Sequence, residues 1–333
     1  MNTSKQKSAL SDTKNQWEQY DWKSIEEYVM KLQQRIYRAE KLGQKRKVRN
    51  LQRLLIHSHG ALLLSIKRVT QSNKGKKTAG VDGFVALNSN TRNGLYLRMK
   101  KMNIHLHKPK PAYRVYIKKK NGKLRPLGIP TIIDRVYQNI IKLALEPQWE
   151  VYFEPTMYGF RPERSCQDSI LRIYLSLMRK KRQWVFEGDF KNCFGTLNHD
   201  YIMKQIGSFP ASEVITRWLK AGYVDNGVFN QTDDGTPQGS VVSPLLANIA
   251  LNGMGKALGV KYKISRTAKG AIKYENVGKY ALSVYADDFV IMCYSKEDAE
   301  NVYNLLLDYL NTRGLELAQE KTKITNEQRD SIF

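Results

Sequence analysis

Apolar residues recur with helical spacing along the first part of the chain. Their spacing from Ile25 to Ile36 predicts a helix, which a capping pattern of Ser24 with Glu27 begins and Gly43 ends. The same spacing continues over residues 48–66 and predicts a second helix there. The front of the chain is therefore expected to be helical.

Strand patterns appear at three later places. Residues 113–117 and 123–125 flank Asn121-Gly122, a dipeptide that strongly favours a tight hairpin. A short apolar strand over residues 183–186 runs on to an acid at Asp189. A third pattern predicts a hairpin around residues 285–288, where apolar runs flank Tyr-Ala-Asp-Asp.

The order of elements predicts the fold class. Helical patterns follow over 131–182 and 199–222, and an apolar helix is expected to end near Leu251. A last helix is expected to end at Gly314. Helices mixed with hairpins in this order indicate an α+β fold with an antiparallel sheet.

The charge is unusually basic and unevenly distributed. The chain of 333 residues carries 55 Lys and Arg against 31 Asp and Glu, a formal net charge of +24. Residues 51–125 hold 18 of the basic residues and one acid, Asp82. This asymmetry favours a polyanionic partner, with nucleic acid as the first candidate and an anionic membrane surface as the second. No apolar stretch approaches the ~20 residues of a membrane span, and no signal peptide is evident, so we expect a cytoplasmic protein without a membrane partner.

Acids at the ends of apolar strands suggest metal chemistry. Neighbouring carboxylates such as Asp287 and Asp288 repel each other when they leave water, and a divalent cation relieves that repulsion. If the strand ending at Asp189 adjoins this hairpin, the acids converge and could hold two Mg²⁺ ions for phosphoryl transfer. Lys119 and Arg125 would then be candidates to bind a triphosphate. The simpler alternative is that each acid is a solvated residue in a polar turn.

Six segments, in this order, resemble the successive motifs of reverse transcriptases. They are residues 125–130, residues 158–162, Asp189 with Phe194, residues 236–240, residues 285–288, and Gly314 with residues 320–322. The Tyr-Ala-Asp-Asp form and the block over residues 78–83 resemble bacterial group II intron-encoded proteins, which combine reverse transcription with maturase activity. The resemblance covers about residues 20–333 and implies a right-hand polymerase with fingers and an antiparallel palm sheet.

The resemblance also implies roles for individual residues. Asp189 and Asp287 would be catalytic and bind the two Mg²⁺ ions, with Asp288 as a supporting acid. The residues expected to contact the dNTP are Lys119, Arg125, Phe194, Gln238 and Lys321. The residues expected to contact template, primer or intron RNA are Arg49, Arg53, Lys67, Arg68, Arg114, Tyr158, Arg161 and Gly239.

Several of these roles have alternatives. Phe194 would exclude a ribose 2′-hydroxyl, or it is a core aromatic. Lys321 would protonate pyrophosphate, or it is an exposed lysine at a helix end. A proline often precedes the hairpin lysine in this family, whereas this chain has Lys118, so the lysine of 118–120 that contacts phosphate stays open.

The domain and function predictions follow from the resemblance. Residues 1–20 are expected to be disordered, residues 21–182 to form the N-terminal extension and fingers, and residues 183–333 the palm, with 131–182 partly shared. We expect the thumb to be absent from this chain. The first functional hypothesis is an RNA-directed DNA polymerase that also binds group II intron RNA for splicing and mobility. Its partners would be RNA template with DNA primer, dNTPs and intron RNA, with homodimerisation left open. The alternatives are a retron-like reverse transcriptase and an RNA-binding splicing cofactor.

Overall fold

The computed structural model describes residues 16–118, 122–178, 182–268, 270 and 272–326. The chain divides into two compact units. The first comprises Met1–Val151, Ile206–Asp233 and Pro237–Ser243, and the second comprises Tyr152–Gln205, Asp234–Thr236 and Pro244–Phe333. Residues 206–233 and 237–243 thus belong to the first unit, although the family resemblance implies that they are part of the palm. The fingers and palm boundaries stay a prediction.

The described elements are numbered here in chain order. The helices are α1 (Gln16–Gln19), α2 (Trp22–Lys41), α3 (Lys45–Ile56), α4 (His59–Lys67), α5 (Ser89–Lys100), α6 (Ile132–Trp149), α7 (Cys166–Leu177), α8 (Cys193–Thr196), α9 (His199–Ile206), α10 (Ser212–Leu219), α11 (Ser243–Leu251), α12 (Met254–Ala257), α13 (Lys296–Glu300) and α14 (Val302–Arg313). The strands are β1 (Ala112–Lys118), β2 (Leu124–Ile129), β3 (Trp184–Asp189), β4 (Tyr223–Asp225), β5 (Val228–Asn230), β6 (Tyr262–Arg266), β7 (Ile272–Asn276), β8 (Ala281–Tyr285), β9 (Asp288–Cys293) and β10 (Lys323–Asn326).

The first unit packs its helices around α6. The amide of Gln33 on α2 donates to the carbonyl of Leu143 at 3.0 Å, and that of Gln52 on α3 donates to Gln148 at 2.7 Å. Apolar side chains fill the space between these helices, because their helical spacing gives each helix one apolar face. The buried members include Val29, Leu32, Ile36, Val48, Leu55, Ile66, Ile140 and Ile141.

The first unit also contains a four-stranded sheet in the order β2-β1-β4-β5. β1 and β2 pair antiparallel, which confirms the hairpin expected around Asn121-Gly122. Lys119 lies outside the described residues, as does the rest of 119–121. β4 and β5 form a second short hairpin, and β4 joins β1 in parallel.

The second unit is built on a four-stranded antiparallel sheet in the order β10-β3-β9-β8. Leu177 of α7 packs against Val185, Ala281 and Met292 of three of these strands, so α7 covers one face of the sheet. β6 and β7 form a separate hairpin. The α+β class and the antiparallel sheet predicted from the sequence are confirmed.

Three local predictions for the N-terminal region are wrong. Residues 16–19 are helical with Trp17 only 2% exposed, so the expected disorder does not extend through residue 20. Asp21 caps α2 by accepting from the Ser24 amide at 3.1 Å, in place of the predicted capping box at Ser24. The helix expected over 48–66 is two helices, because the Ser58 side chain caps a new helix by accepting from the Ala61 amide.

Among the described helices, none combines the length and the apolar character that a membrane crossing requires.

Candidate active site

The acids at the ends of β3 and β9 lie directly opposite each other. β3 pairs antiparallel with β9, and in this register Asp189 stands across from Asp288. Asp288 is also paired with Tyr285 at the base of the β8–β9 hairpin, which leaves Ala286 and Asp287 as its turn. The prediction that the two acid-ending strands are neighbours is confirmed. All three carboxylates therefore lie at one end of the sheet.

The hairpin turn has an unusual backbone. Ala286 has a φ of 58°, in the left-handed region that non-glycine residues seldom occupy. Its side chain is buried, Asp287 beside it is half-buried, and Asp288 is exposed. A left-handed alanine persists only where the surrounding structure fixes it. The conformation of this turn is therefore imposed by its neighbours within the unit.

Cys193 lies close to Asp189 and to Asp287 in the hairpin turn. Burial raises the pKa of the Cys193 thiol, and the negative charges of Asp287 and Asp189 raise it further. Because both charges act on the same thiol, the two carboxylates share one neighbourhood. The protonated, 3% exposed thiol is a packing group beneath them and not a nucleophile.

Lys321 is the cation of this site. Its ammonium forms an ion pair with the carboxylate of Asp189, and this hydrogen bond raises the pKa of Lys321. The backbone brings the two together, because the Ala318 amide donates to the Asp189 carbonyl at 2.8 Å. The segment that follows α14 thus runs alongside the end of β3. Lys321 is more than half exposed, so it can move away from Asp189.

The carboxylates fit a divalent cation in their donor type. Asp189 and Asp287 offer charged oxygen atoms, which are the ligands that Mg²⁺ takes in proteins. Within the ranges that the structure describes, no group of three or more His, Cys, Asp or Glu side chains is arranged to hold a metal ion. The chemistry of the pair fits the ion, while the two-ion arrangement stays a prediction.

Phe194 lies in the same unit as these acids. It is 8% exposed on the short helix α8, and its ring meets the ring of Phe160 edge-on at 6.3 Å. The Thr236 amide donates to the Phe194 carbonyl at 2.6 Å. A Cβ on Gly235 would lie 2.6 Å from the backbone of Gly195, so glycine is required where these segments cross. This burial is compatible with either role that the sequence left open for Phe194.

Tyr158 and Arg161 do not face solvent. Tyr158 is 4% exposed, and its hydroxyl accepts from the Arg172 guanidinium at 3.2 Å. Arg161 donates to the carbonyls of Met157 and Glu154 at 2.7 and 3.0 Å. These bonds hold the loop together within the unit, and the expected contact of these two side chains with template or primer stays a prediction. Phe160, between them, is the exposed aromatic residue of this loop.

Gln238 and Gly239 belong to the first unit and lie against β2. The Gly128 amide donates to the Gln238 carbonyl at 2.6 Å. Gly239 has a φ of 113°, and a Cβ there would lie 2.8 Å from the Gly128 carbonyl oxygen. Glycine at position 239 therefore permits a close approach of its backbone to β2, and its expected contact with template or primer stays a prediction.

Gln138 contacts this loop and was not among the residues predicted from the sequence. Its side-chain oxygen accepts from the Ser240 hydroxyl at 3.0 Å and from the Val241 amide at 3.1 Å. Gln138 is 2% exposed on α6. The one signal in the sequence for such a role is that Gln138 is a polar residue within the apolar run of α6. Gln138 therefore holds the loop that carries Gln238 and Gly239.

The remaining predicted contacts differ in exposure. Arg125 is exposed on β2. Arg114 is half-buried, with its guanidinium stacked over the Tyr223 ring at 3.7 Å, so its planar face is already engaged. Of the four basic residues in the helical region that are predicted to contact RNA, Arg53 and Arg68 are exposed.

The other two predicted RNA contacts of the helical region, Lys67 and Arg49, are engaged in intramolecular contacts. Lys67 pairs with Glu26 at 2.9 Å and lies over the Trp22 ring, while Arg49 reaches the Ser208 hydroxyl at 3.5 Å. Arg53 and Arg68 are therefore the stronger candidates for contact with a polyanion.

Comparison with known proteins gives the lineage. Residues 117–332 match the family described as reverse transcriptase (RNA-dependent DNA polymerase), and residues 17–99 match the N-terminal domain of reverse transcriptase. Protein YkfC of Escherichia coli K12 is 35% identical, over 85% of this chain and 82% of YkfC. The group II intron-encoded protein LtrA of Lactococcus lactis is 31% identical, over 79% of this chain and 52% of LtrA.

The chain thus spans about half the length of LtrA. A telomerase structure from Candida albicans aligns with a TM-score of 0.46 at 13% identity, over 68% of this chain and 43% of that chain. The first family match alone includes the three acids, Phe194 and Lys321. This chain belongs to the reverse transcriptase (RNA-dependent DNA polymerase) family, with a group II intron-encoded protein among its relatives.

Proposed function

We propose that this chain forms the nucleotidyl-transfer part of an RNA-directed DNA polymerase of a group II intron. The observation that carries the proposal is the register of β3 and β9, which sets Asp189 opposite Asp288 and next to the turn that bears Asp287. Membership of the reverse transcriptase family supports it. The 31% identity to LtrA supports the group II intron lineage over the retron-like alternative.

In the proposed reaction, the primer 3′-hydroxyl releases its proton to solvent and its oxygen bonds to the α-phosphorus of a dNTP. The bond from that phosphorus to pyrophosphate breaks in the same step. Divalent cations held by Asp189 and Asp287 would, when bound, supply Lewis acidity to this transfer. The exposed carboxylate of Asp288 would help to balance the positive charge of these cations. Arg125 and Lys119 bind the triphosphate, and their positive charges favour that anion.

Lys321 is the proposed proton donor to the leaving pyrophosphate. The raised pKa of its ammonium means that Lys321 carries a proton throughout the neutral range. Its position on the segment beside β3 keeps that proton at the carboxylate end of the sheet. Phe194 is proposed to exclude the ribose 2′-hydroxyl, and Gln238 with Gly239 to lie beside the templating base.

Primer extension by single-carboxylate variants tests the proposal. Asp189→Asn and Asp287→Asn should each lower the extension rate by about 10³-fold or more, because each removes a charged metal ligand without changing shape. Asp308→Asn, an exposed acid on α14, is the matched control and should keep the wild-type rate. RNA binding should be preserved in all three variants. Extension by Asp287→Asn at the rate of the control would refute the catalytic assignment.

A second candidate function is binding of intron RNA as a splicing cofactor. Its support is the basic segment 51–125, with a net charge of +17, and the intron-encoded origin stated for LtrA. This function does not require the carboxylates and is compatible with the first. Contact with RNA phosphates would make the affinity fall steeply as salt rises.

Charge reversal tests RNA binding. The double variant Arg53→Glu with Arg68→Glu should weaken intron RNA binding and reduce the salt slope by about 2, since each lost phosphate contact lowers it by about 1. Lys204→Glu together with Lys220→Glu, at two exposed lysines outside the basic segment, is the control with the same change in net charge. If the arginine variant and the control bind alike, these arginines are not the anchor.

Homodimerisation is a separate proposal. Measurement of the molar mass in solution by light scattering tests it.

A further inference from the structure

A short segment before Gly159 runs along the edge of the catalytic hairpin. The Tyr158 amide donates to the Val284 carbonyl, and the Val284 amide donates to the Thr156 carbonyl, both at 2.9 Å. Met157 thereby forms a parallel bridge with Val284 of β8. β8 thus has a partner on each side as it approaches the turn, and the segment ends at Gly159.

Gly159 packs directly against the turn. A Cβ at this position would lie 2.2 Å from the Ala286 nitrogen and 2.8 Å from its Cα. These distances are far below any van der Waals contact, and the atoms concerned belong to the backbone, which cannot swing aside. Only glycine fits here. The contact falls on the residue whose left-handed conformation sets the path of the chain into Asp287.

Asn248 fixes Gly159 from the other side. Its side-chain amide donates to the Gly159 carbonyl at 2.8 Å, and Asn248 is 2% exposed on α11. The C-terminal end of α11 is itself held, because the Arg313 guanidinium donates to the Ala250 carbonyl and the Tyr309 hydroxyl donates to that of Leu251. The amide of Asn248 is therefore a fixed support for the glycine.

We propose that Asn248 and Gly159 are positioning residues that hold the Ala286–Asp287 turn in place and so set the location of the Asp287 carboxylate. The inference rests on the proposed function, since it concerns how Asp287 is presented for metal binding and nucleotidyl transfer. Neither residue touches the reacting atoms. They act through the backbone contact between Gly159 and Ala286.

The physical effect of removing this support is a displacement of the turn. A methyl group at position 159 requires Ala286 to move by about an ångström, because ordinary carbon contacts begin near 3.5 Å. Displacements of that size in a catalytic group lower rates by roughly 100-fold. Asn248→Asp has nearly the same shape but cannot donate, and it sets a carboxylate against the Gly159 carbonyl, which costs the lost hydrogen bond and adds repulsion.

The experiment compares the wild-type chain with Gly159→Ala, Asn248→Asp and a control, Leu246→Val, which trims a buried residue of the same helix. Two quantities are measured for each. One is the affinity for Mn²⁺ alone, followed by electron paramagnetic resonance. The other is kcat and KM for single-nucleotide extension of a DNA primer on RNA. Thermal unfolding reports the folded fraction of every variant.

We expect Gly159→Ala to lower kcat by about 100-fold with KM for the dNTP nearly unchanged. Mn²⁺ affinity should fall about tenfold in Gly159→Ala and less in Asn248→Asp, as expected for a displaced ligand. Leu246→Val should lower only the melting temperature. This separates positioning from a general loss of stability, which would move the control in the same way.

The inference would be overturned if both variants fold and keep the Mn²⁺ affinity and the kcat of the wild-type chain. If Gly159→Ala does not fold, Asn248→Asp decides the outcome by the same two measurements. Should the wild-type chain bind Mn²⁺ but extend no primer, the proposed function fails on its own. In that case the Mn²⁺ affinities of the variants still decide whether Asn248 and Gly159 position Asp287.

Discussion

Asp189 and Asp288 stand directly across from each other on two adjacent antiparallel strands. Like charges in this relationship repel, so the pair opposes folding while it collects negative charge at one end of the sheet. Asp288 is the exposed member, and the ammonium of Lys321, which is paired with Asp189, also attracts Asp288. Negative charge collected in this way favours a cation, and a sheet selected only for stability would avoid it.

Removing the repulsion should therefore stabilise the chain. We predict that Asp288→Asn raises the free energy of unfolding by about 0.5 kcal/mol at low salt, and that the gain shrinks as salt screens the charges. Urea denaturation at two salt concentrations measures it. The same variant should keep measurable primer extension, whereas Asp287→Asn should not. A loss of stability in Asp288→Asn would contradict this account of the pair.

The ion pair between Lys321 and Asp189 predicts a pH dependence of stability. The pKa of Lys321 is raised in the folded chain, so its contribution is complete below the usual lysine pKa and is lost as the pH rises through the folded value. Because the lysine is largely exposed, Lys321→Met should lower the free energy of unfolding by no more than about 0.5 kcal/mol at neutral pH. That difference should begin to shrink above a pH of ~10.4, the usual lysine pKa, and vanish only when the pH exceeds the raised pKa of Lys321 in the folded chain.

The control for this measurement is Lys191→Met. Lys191 pairs with Glu316 at 3.4 Å, and both side chains are about 70% exposed, so this bridge lies in solvent near the same segment. Its removal should change stability less than Lys321→Met does. Equal effects of the two variants at every pH would show that the Asp189 pair contributes nothing beyond an ordinary surface bridge.

The hydrogen bonds of Gln138 are predicted to affect both the stability of the chain and the binding of the dNTP, because they hold the loop that carries Gln238. Gln138→Leu leaves the Ser240 hydroxyl and the Val241 amide without their acceptor in a buried position, at a cost of about 1–3 kcal/mol. The loop that bears Gln238 should loosen, and KM for the dNTP should rise by more than kcat falls. Gln138→Glu keeps an acceptor for both donors and should restore KM. Restoration of stability without KM would make Gln138 a purely structural residue.

The acidic residues of the candidate site could be predicted from the sequence, because they stand at the ends of apolar strands. Asp189, Asp287 and Asp288 were identifiable because acids at such positions are unfavourable without a partner, and the strand register confirms that they converge. The antiparallel sheet was predictable for the same reason, since apolar runs and a tight turn define its hairpin. Strand β10 was not, because Lys323–Asn326 has no apolar alternation and becomes a strand only through pairing with β3.

The residues that hold the site could not be predicted from local pattern. Asn248 and Gln138 are single polar residues in apolar helical runs, and their partners lie 89 and more than 100 positions away in sequence. The start of α2 also shows that residue type alone does not determine which residue caps a helix. Ser24 has the residue type of a cap, yet Asp21 takes that role because its carboxylate reaches the Ser24 amide and hydroxyl together.

Phe194 is the residue whose two interpretations differ most in what they predict. If its ring excludes the 2′-hydroxyl, Phe194→Val should lower the preference for dNTP over rNTP, measured as the ratio of kcat/KM values, by about 100-fold. If the ring is only a core aromatic, the same variant should lose a few kcal/mol of stability and leave that ratio unchanged. Phe186→Val is the matched control, because Phe186 is 3% exposed within β3 of the same unit. It should lose comparable stability without any change in sugar preference. A fall in the ratio in Phe194→Val alone, with both variants folded, would establish the ring as a selectivity group.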